Sequence, residues 1–214
     1  MKDNVESILI IGLGMMGASL ALASKSKGIK VYGHDSDSLA VESAKNDNFI
    51  DESFNSLEEI NNKNLSDIID LIIVCVPPRQ TQEVFNDIHE LWNTSITITD
   101  TSSVKNHIKV GEVDNIILSH PIAGSDRSGL SAADIELYFD KKNVICDPFE
   151  ANNIHMKRLT DFWEGAMQMR TSLMTVNDHD LIFAMTSHLP HLVSYALIDS
   201  IRPVSYTHLR AHET

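Results

Sequence analysis

The chain is predicted to be an α/β protein, a doubly wound and mostly parallel sheet followed by the start of an all-helical domain. Three observations predict it. Short β-branched runs alternate with segments of helical period over residues 1–174, the pattern of a parallel sheet covered on both faces. A glycine-rich turn joins the first run directly to the first helical segment. After Met174 the alternation stops and one long apolar helix-like segment begins.

The elements follow in order. Strands are expected at residues 8–11, 30–33, 70–76, 95–99, 115–119, 143–146 and 169–174, each a short run rich in Ile, Val, Leu or Thr. Helices are expected at residues 16–26, 38–45 and 81–92. A further helix begins near Phe149 and carries Met156, Leu159, Phe162 and Trp163 at three- and four-residue spacing. Right-handed crossovers between successive strands would wind all of them into one sheet. From 177 to 201 the apolar residues, including Leu181, Met185, Leu189, Leu192 and Tyr195, cover more than one face. Residues 175–202 therefore read as the first helix of a dimerisation and substrate domain that the chain does not complete. Residues 203–214 break that pattern, read like translated sequencing-adapter sequence, and are expected to be a foreign tail.

Composition narrows the function classes. A formal net charge of −13 with no cluster of Lys or Arg disfavours a nucleic-acid or anionic-membrane partner. Two cysteines, Cys75 and Cys146, each lie in an apolar run and are expected as reduced core thiols, which suits a cytoplasmic location. No signal peptide or membrane span is expected, since no run of eighteen apolar residues occurs.

The turn Gly12-Leu13-Gly14-Met15-Met16-Gly17 follows a strand and opens a helix. The first glycine permits the turn, the second lets a pyrophosphate approach the backbone, and the third lets helix pack on strand. The helix N-terminus, at Met15 and Met16, offers unpaired N–H groups to the anion. Asp35, eighteen residues beyond Gly17, stands at the end of the second strand. There it can bond a ribose 2′-hydroxyl and repel a 2′-phosphate, so a Rossmann-type domain using NAD is expected. Val76 and Pro77 would floor the cofactor cleft.

Ligands of open parallel sheets lie at the carboxyl ends of the strands. Those ends carry Val76-Pro77-Pro78, Asp100-Thr101-Ser102-Ser103-Val104-Lys105 and Ser119-His120-Pro121-Ile122-Ala123-Gly124-Ser125. A histidine pinned between a strand and a proline is poorly placed for core packing, so His120 is a candidate catalytic residue. With the later His179-Asp180 and Ser187-His188-Leu189-Pro190-His191, these motifs resemble the prephenate/arogenate dehydrogenases from about Ser7 to Ile201. The resemblance implies a Rossmann domain, a helical domain that forms a homodimer, and a site between them. It implies NAD-dependent oxidative decarboxylation of prephenate or arogenate in tyrosine biosynthesis. It further implies that His120 takes the ring-hydroxyl proton, that Ser103 orients that hydroxyl, and that His191 lies in the substrate pocket. His179 and His188 match with less defined roles, and Ser125 joins the substrate loop. Asp126 either is a solvated loop residue or faces the substrate side chain, where its charge would favour the ammonium of arogenate. Arg127 and Arg170 are candidate carboxylate partners. The family's substrate-binding arginine has no counterpart here, which predicts weak turnover by this chain.

His188 and His191 lack a third ligand at metal spacing, so no metal is expected. Two alternatives stand beside this reading. A β-hydroxyacid or imine-reducing dehydrogenase would place a lysine in the helical segment, but residues 177–201 contain none. A non-catalytic NAD-binding module would not require Ser103, His120 and His191 together.

Overall fold

The computed structural model describes residues 5–125, 127–146 and 154–201. Five parallel strands form the main sheet: β1 (Ser7–Ile11), β2 (Lys30–His34), β3 (Glu52–Ser53), β4 (Leu71–Val74) and β5 (Thr97–Asp100). They lie in the order β3-β2-β1-β4-β5. The order reverses between β1 and β4, and a crevice opens at such a switch point. Successive β1 side chains point to opposite faces, and the core divides accordingly. Ile8 and Ile10 pack on one face with Leu20, Phe162 and Trp163, while Leu9 and Ile11 pack on the other with Val84, Phe85 and Ile98. These four of the five β1 residues are at most 2% exposed, so the central strand is covered on both sides as a doubly wound sheet requires.

Four helices flank the sheet: α1 (Met15–Ser26), α2 (Ser38–Asn46), α3 (Leu57–Ile60) and α4 (Pro78–Asp87). The Asp37 carboxylate caps α2 by accepting from the Leu39 N–H, and the Ser56 hydroxyl caps α3 by accepting from the Glu59 N–H. The helix expected at 81–92 instead starts at Pro78 and ends at Asp87, with a separate 3₁₀ turn at His89–Leu91. Pro77 and Pro78 therefore open α4 rather than merely close β4. Proline suits the first helical position because its missing N–H would have no partner there.

The single sheet expected from the sequence is two. Strands β6 (Leu118–Ile122), β7 (Lys142–Cys146) and β8 (Arg170–Met174) form a second sheet, with β6–β7 antiparallel and β7–β8 parallel. Residues 115–117 first follow β5, through an Ile98–Ile116 bridge, before the chain crosses to β7. The buried Asn115 amide anchors that crossing by donating to the Leu91 and Ile96 carbonyls. The strand expected at 115–119 consequently sits three residues later, and His120 lies inside it. Pro121 is tolerated because β6 is an edge strand.

The helix expected from Phe149 is α5 (Ile154–Asp161) followed by a π-type turn at Phe162–Ala166; Phe149 itself falls outside the described residues. Beyond β8, α6 (Val176–Phe183), a π-type turn at Ala184–His188 and α7 (Leu189–Ile201) run on as one helical rod. Leu181, Met185, Leu192, Tyr195, Leu197 and Ile201 on it are all more than half exposed. By length and composition the rod is apolar enough to cross a membrane. Its first turn is nonetheless bonded into the α/β unit through Asp180, whose carboxylate accepts from the Lys105 and Asn106 N–H groups.

Candidate functional site

A cavity of about 810 Å³ opens where β1, β4, β5 and β6 end. Its inner wall is the glycine turn. Gly12 has φ +102°, and a Cβ there would stand 2.7 Å from the Cys75 carbonyl oxygen, so the turn can pass β4 only as glycine. A Cβ on Gly17 would collide with the Gly12 carbonyl, which makes it the close-packing glycine behind the cleft rather than a lining residue. A Cβ on Gly14 would meet nothing within 4 Å. That open side lies at the N-terminus of α1, which has no side-chain cap and no acidic residue in its first turn. The helix end therefore presents free N–H groups and the positive end of its dipole to the cavity, as an anion requires.

Asp35 completes the nucleotide half. One carboxylate oxygen accepts from the Leu13 N–H at 2.6 Å and the other from the Asp37 N–H at 2.9 Å. Its place beside the glycine turn is thus set by backbone donors. Met15, Met16, Val76 and Pro77, expected from the sequence as cofactor contacts, also line the cavity. Among the described residues, Arg127 is the one Lys or Arg in the lining. These features fit a dinucleotide: a glycine cradle, an uncapped helix end, a ribose acceptor and one cation.

The reactive half is built by β5 and β6. Ser103 and His120 both line the cavity. The half-buried His120 ring packs edge-on against Phe183, with centroids 4.8 Å apart, and its Nδ1 lies 2.9 Å from His179 Nε2. His179 is fully buried, and its Nδ1 lies 2.8 Å from the Asp180 carboxylate. Burial, aided by the nearby Lys105, His179 and His188, pushes the His120 pKa down to about 3 against the pull of Asp180. The imidazole is accordingly neutral at rest, with one ring nitrogen carrying a lone pair.

The Asp-Thr-Ser-Ser-Val-Lys motif explains how this corner is held. Lys105 and Asp100, both 0% exposed, form an ion pair at 2.6 Å. The same ammonium donates to the Ser119 carbonyl at 2.6 Å, one residue before His120. Ser102 donates to the Asp100 carboxylate, which also accepts from the Ser119 N–H. Removing either charge would strand its partner in the interior, a loss of several kcal/mol by analogy with other buried pairs, about 3–5. This network was missed from the sequence, where Ser103 drew the attention. A lysine and an aspartate five apart, bracketing three hydroxyl residues, were the available signal.

Other sequence candidates are not brought to the cavity. Ser125 is exposed, His188 is half-buried on the π-type turn, and His191 is exposed on α7; none lines it. Arg170 lies away on β8, bonded to Asp140. Asp126, Arg202 and residues 203–214 lie outside the described residues. Both cysteines are free thiols, and burial raises each pKa to about 12. Among the described residues no group of three His, Cys, Asp or Glu is placed to hold a metal.

Comparison with known proteins bears on the family and the fold. The family model for the nucleotide-binding domain of prephenate dehydrogenase matches residues 19–169, and that for its dimerization domain matches residues 175–210. The second match reaches past residue 202, where the sequence reading placed the end of native chain. A cyclohexadienyl dehydrogenase of Zymomonas mobilis is 30% identical over 207 residues, covering 92% of this chain and 67% of that protein. A prephenate dehydrogenase of Bacillus subtilis is 28% identical over 213 residues, covering 92% of this chain and 54% of that one. The chain thus spans about half to two thirds of the length of these relatives. The crystal structure of Aquifex aeolicus prephenate dehydrogenase, in complex with hydroxyphenyl propionate and NAD+, superposes with a TM-score of 0.83 at 27% identity. It covers 94% of this chain and 70% of that one. With its nucleotide-binding model matched across most of the sequence, the chain belongs to the prephenate dehydrogenase family.

Proposed function

We propose that the chain binds NAD and oxidatively decarboxylates prephenate or arogenate, yielding 4-hydroxyphenylpyruvate or tyrosine, in the cytoplasm. The observation that carries the reading is that His120 and Ser103 line the same cavity as a glycine turn shaped for a dinucleotide. Gly12, Gly14, Met15 and Met16 would hold the pyrophosphate, with Arg127 as its side-chain cation. Asp35 would take the adenosine ribose, and Val76 and Pro77 the floor. When bound, NAD supplies the acceptor for the hydrogen and electron pair leaving the ring carbon that bears the 4-hydroxyl. Ser103 orients that hydroxyl, and His120 accepts its proton as the carbon is oxidised. The ring carboxylate then departs as carbon dioxide, and the electrons of the broken C–C bond make the ring aromatic.

The division of labour follows the chain. Residues 1–174 form the NAD-binding domain, and the rod from residue 175 opens the helical domain whose apolar face meets a second copy in a homodimer. The exposed leucines of α6 and α7 support that assignment, as does the match to a dimerization domain. His191, His188, Ser125 and Asp126 remain proposed substrate contacts, contributed as the helical domain closes over the cavity.

The test is NADH formation with each substrate, measured alongside NADH binding. Turnover with prephenate or arogenate and stoichiometric carbon dioxide are expected. Tight NADH binding with no turnover of either, on the chain and on a version carrying a full-length helical domain, would defeat the reading.

A further inference from the structure

We propose that His179 and Asp180 are positioning residues that set the tautomer of His120, forming a one-way chain of hydrogen bonds ending at the cavity. The inference rests on His120 being the base, and it concerns which nitrogen of that ring carries the proton.

Asp180 anchors the chain of bonds. Its carboxylate accepts the Lys105 N–H at 2.9 Å and the Asn106 N–H at 2.8 Å. Two fixed backbone donors hold it as an acceptor. Burial pushes its pKa up, but the Asn106 N–H, the His179 ring and the Lys105 N–H together pull it below the usual carboxylate range. An ionised carboxylate can only accept. His179 Nδ1, 2.8 Å away, must therefore carry a proton and donate it. Burial keeps the His179 ring neutral by lowering its pKa, so its other nitrogen, Nε2, is a bare acceptor. That nitrogen lies 2.9 Å from His120 Nδ1, which must in turn be the protonated one. The proton on His120 is thereby confined to Nδ1, and Nε2 is left with its lone pair for the substrate hydroxyl. The opposite tautomer would present an N–H to that hydroxyl and could not take its proton.

Phe183 holds the geometry, packing against His120 at 4.8 Å and His179 at 4.6 Å between ring centroids. The Lys105–Asp100 pair holds both ends, since Lys105 bonds β6 through its ammonium and Asp180 through its N–H. An orienting acceptor behind a catalytic histidine is a recurrent solution. In the serine-protease triad, which supplies the magnitude, losing the correct tautomer costs about 10⁴ in kcat.

The test needs no substrate for its first arm. Nitrogen NMR of ring-labelled histidine in the whole chain should show His120 protonated at Nδ1 and bare at Nε2 at neutral pH. His179→Phe keeps the ring packing but removes the acceptor, so the proton should move to Nε2, and kcat should fall at least ~10²-fold with NADH binding within about twofold of wild type. His179→Gln retains an amide oxygen toward His120 and an N–H toward Asp180, so it should recover about tenfold or more of that loss, within the range of one general base. A wild-type His120 found protonated at Nε2 would overturn the inference, as would a His179→Phe enzyme with wild-type kcat or a Gln variant no better than Phe. The predicted tautomer in a chain that turns over neither substrate would support the relay and count against the proposed function alone.

Discussion

In the proposed function Asp35 chooses the dinucleotide, because its carboxylate is held by the Leu13 and Asp37 N–H groups where a 2′-phosphate would meet it. Asp35→Ser should narrow the preference for NAD over NADP by about tenfold or more, since a charge clash of roughly 1–2 kcal/mol is removed. The ratio of kcat/KM for the two cofactors reads it directly. The glycines separate two jobs in the same way. Gly12→Ala places a methyl against the Cys75 carbonyl at positive φ, so it should destabilise the fold by at least about 1–3 kcal/mol and weaken NADH binding. Gly14→Ala meets no atom, so it should shift the urea midpoint little, about 1 kcal/mol at most, while raising the NADH Kd. Equal losses of stability in the two variants would contradict the assignment.

At the scale of elements, what could be read from the sequence was whatever local chemistry determines. Strand β1, the glycine turn, α1 and β2 were legible because apolar run, turn and helix period agree over thirty residues. His120 was singled out as a strand-end residue, and the structure places it inside β6, where it lines the cavity. Strand β3, of two residues, and α3, of four, were illegible because neither is long enough to show a period. The split into two sheets was hidden because antiparallel β6–β7 pairing depends on a distant partner, and because the Asn115 side chain, not a pattern, turns the strand. The relay behind His120 was hidden for the same reason. His179 reaches it across fifty-nine residues of chain, and its anchor is backbone N–H rather than side chain.

For the whole molecule, three imidazoles, two buried and one half-buried, tie stability to pH. Burial lowers the pKa of His120 to about 3, of His155 to about 4, and of His179 below its ordinary value. Each folded pKa lies below the unfolded 6.5, so between that value and about 4 the unfolded chain binds more protons than the folded one. Stability therefore rises with pH through this window and is lost as pH falls. The urea midpoint should be lower near pH 5 than near pH 7, and His155→Gln should flatten the difference; a midpoint independent of pH would refute the linkage. His155 suits this test because it lies beside Thr97 at the opposite end of β5 from the cavity. The exposed leucines of α7 make a second prediction at this scale. Leu192→Glu should move the chain from dimer toward monomer in sedimentation, since a charge cannot be buried in an apolar interface. An unchanged sedimentation coefficient would place the dimer contact elsewhere.

The central claim is that His120 removes a proton beside a bound dinucleotide, and its most direct measurement is a paired one on His120→Asn: NADH affinity by fluorescence, and turnover of prephenate and arogenate. The account predicts an affinity within about twofold of wild type and a kcat lowered by about 10²–10⁴-fold, the worth of a general base. Wild-type turnover by the variant would contradict it.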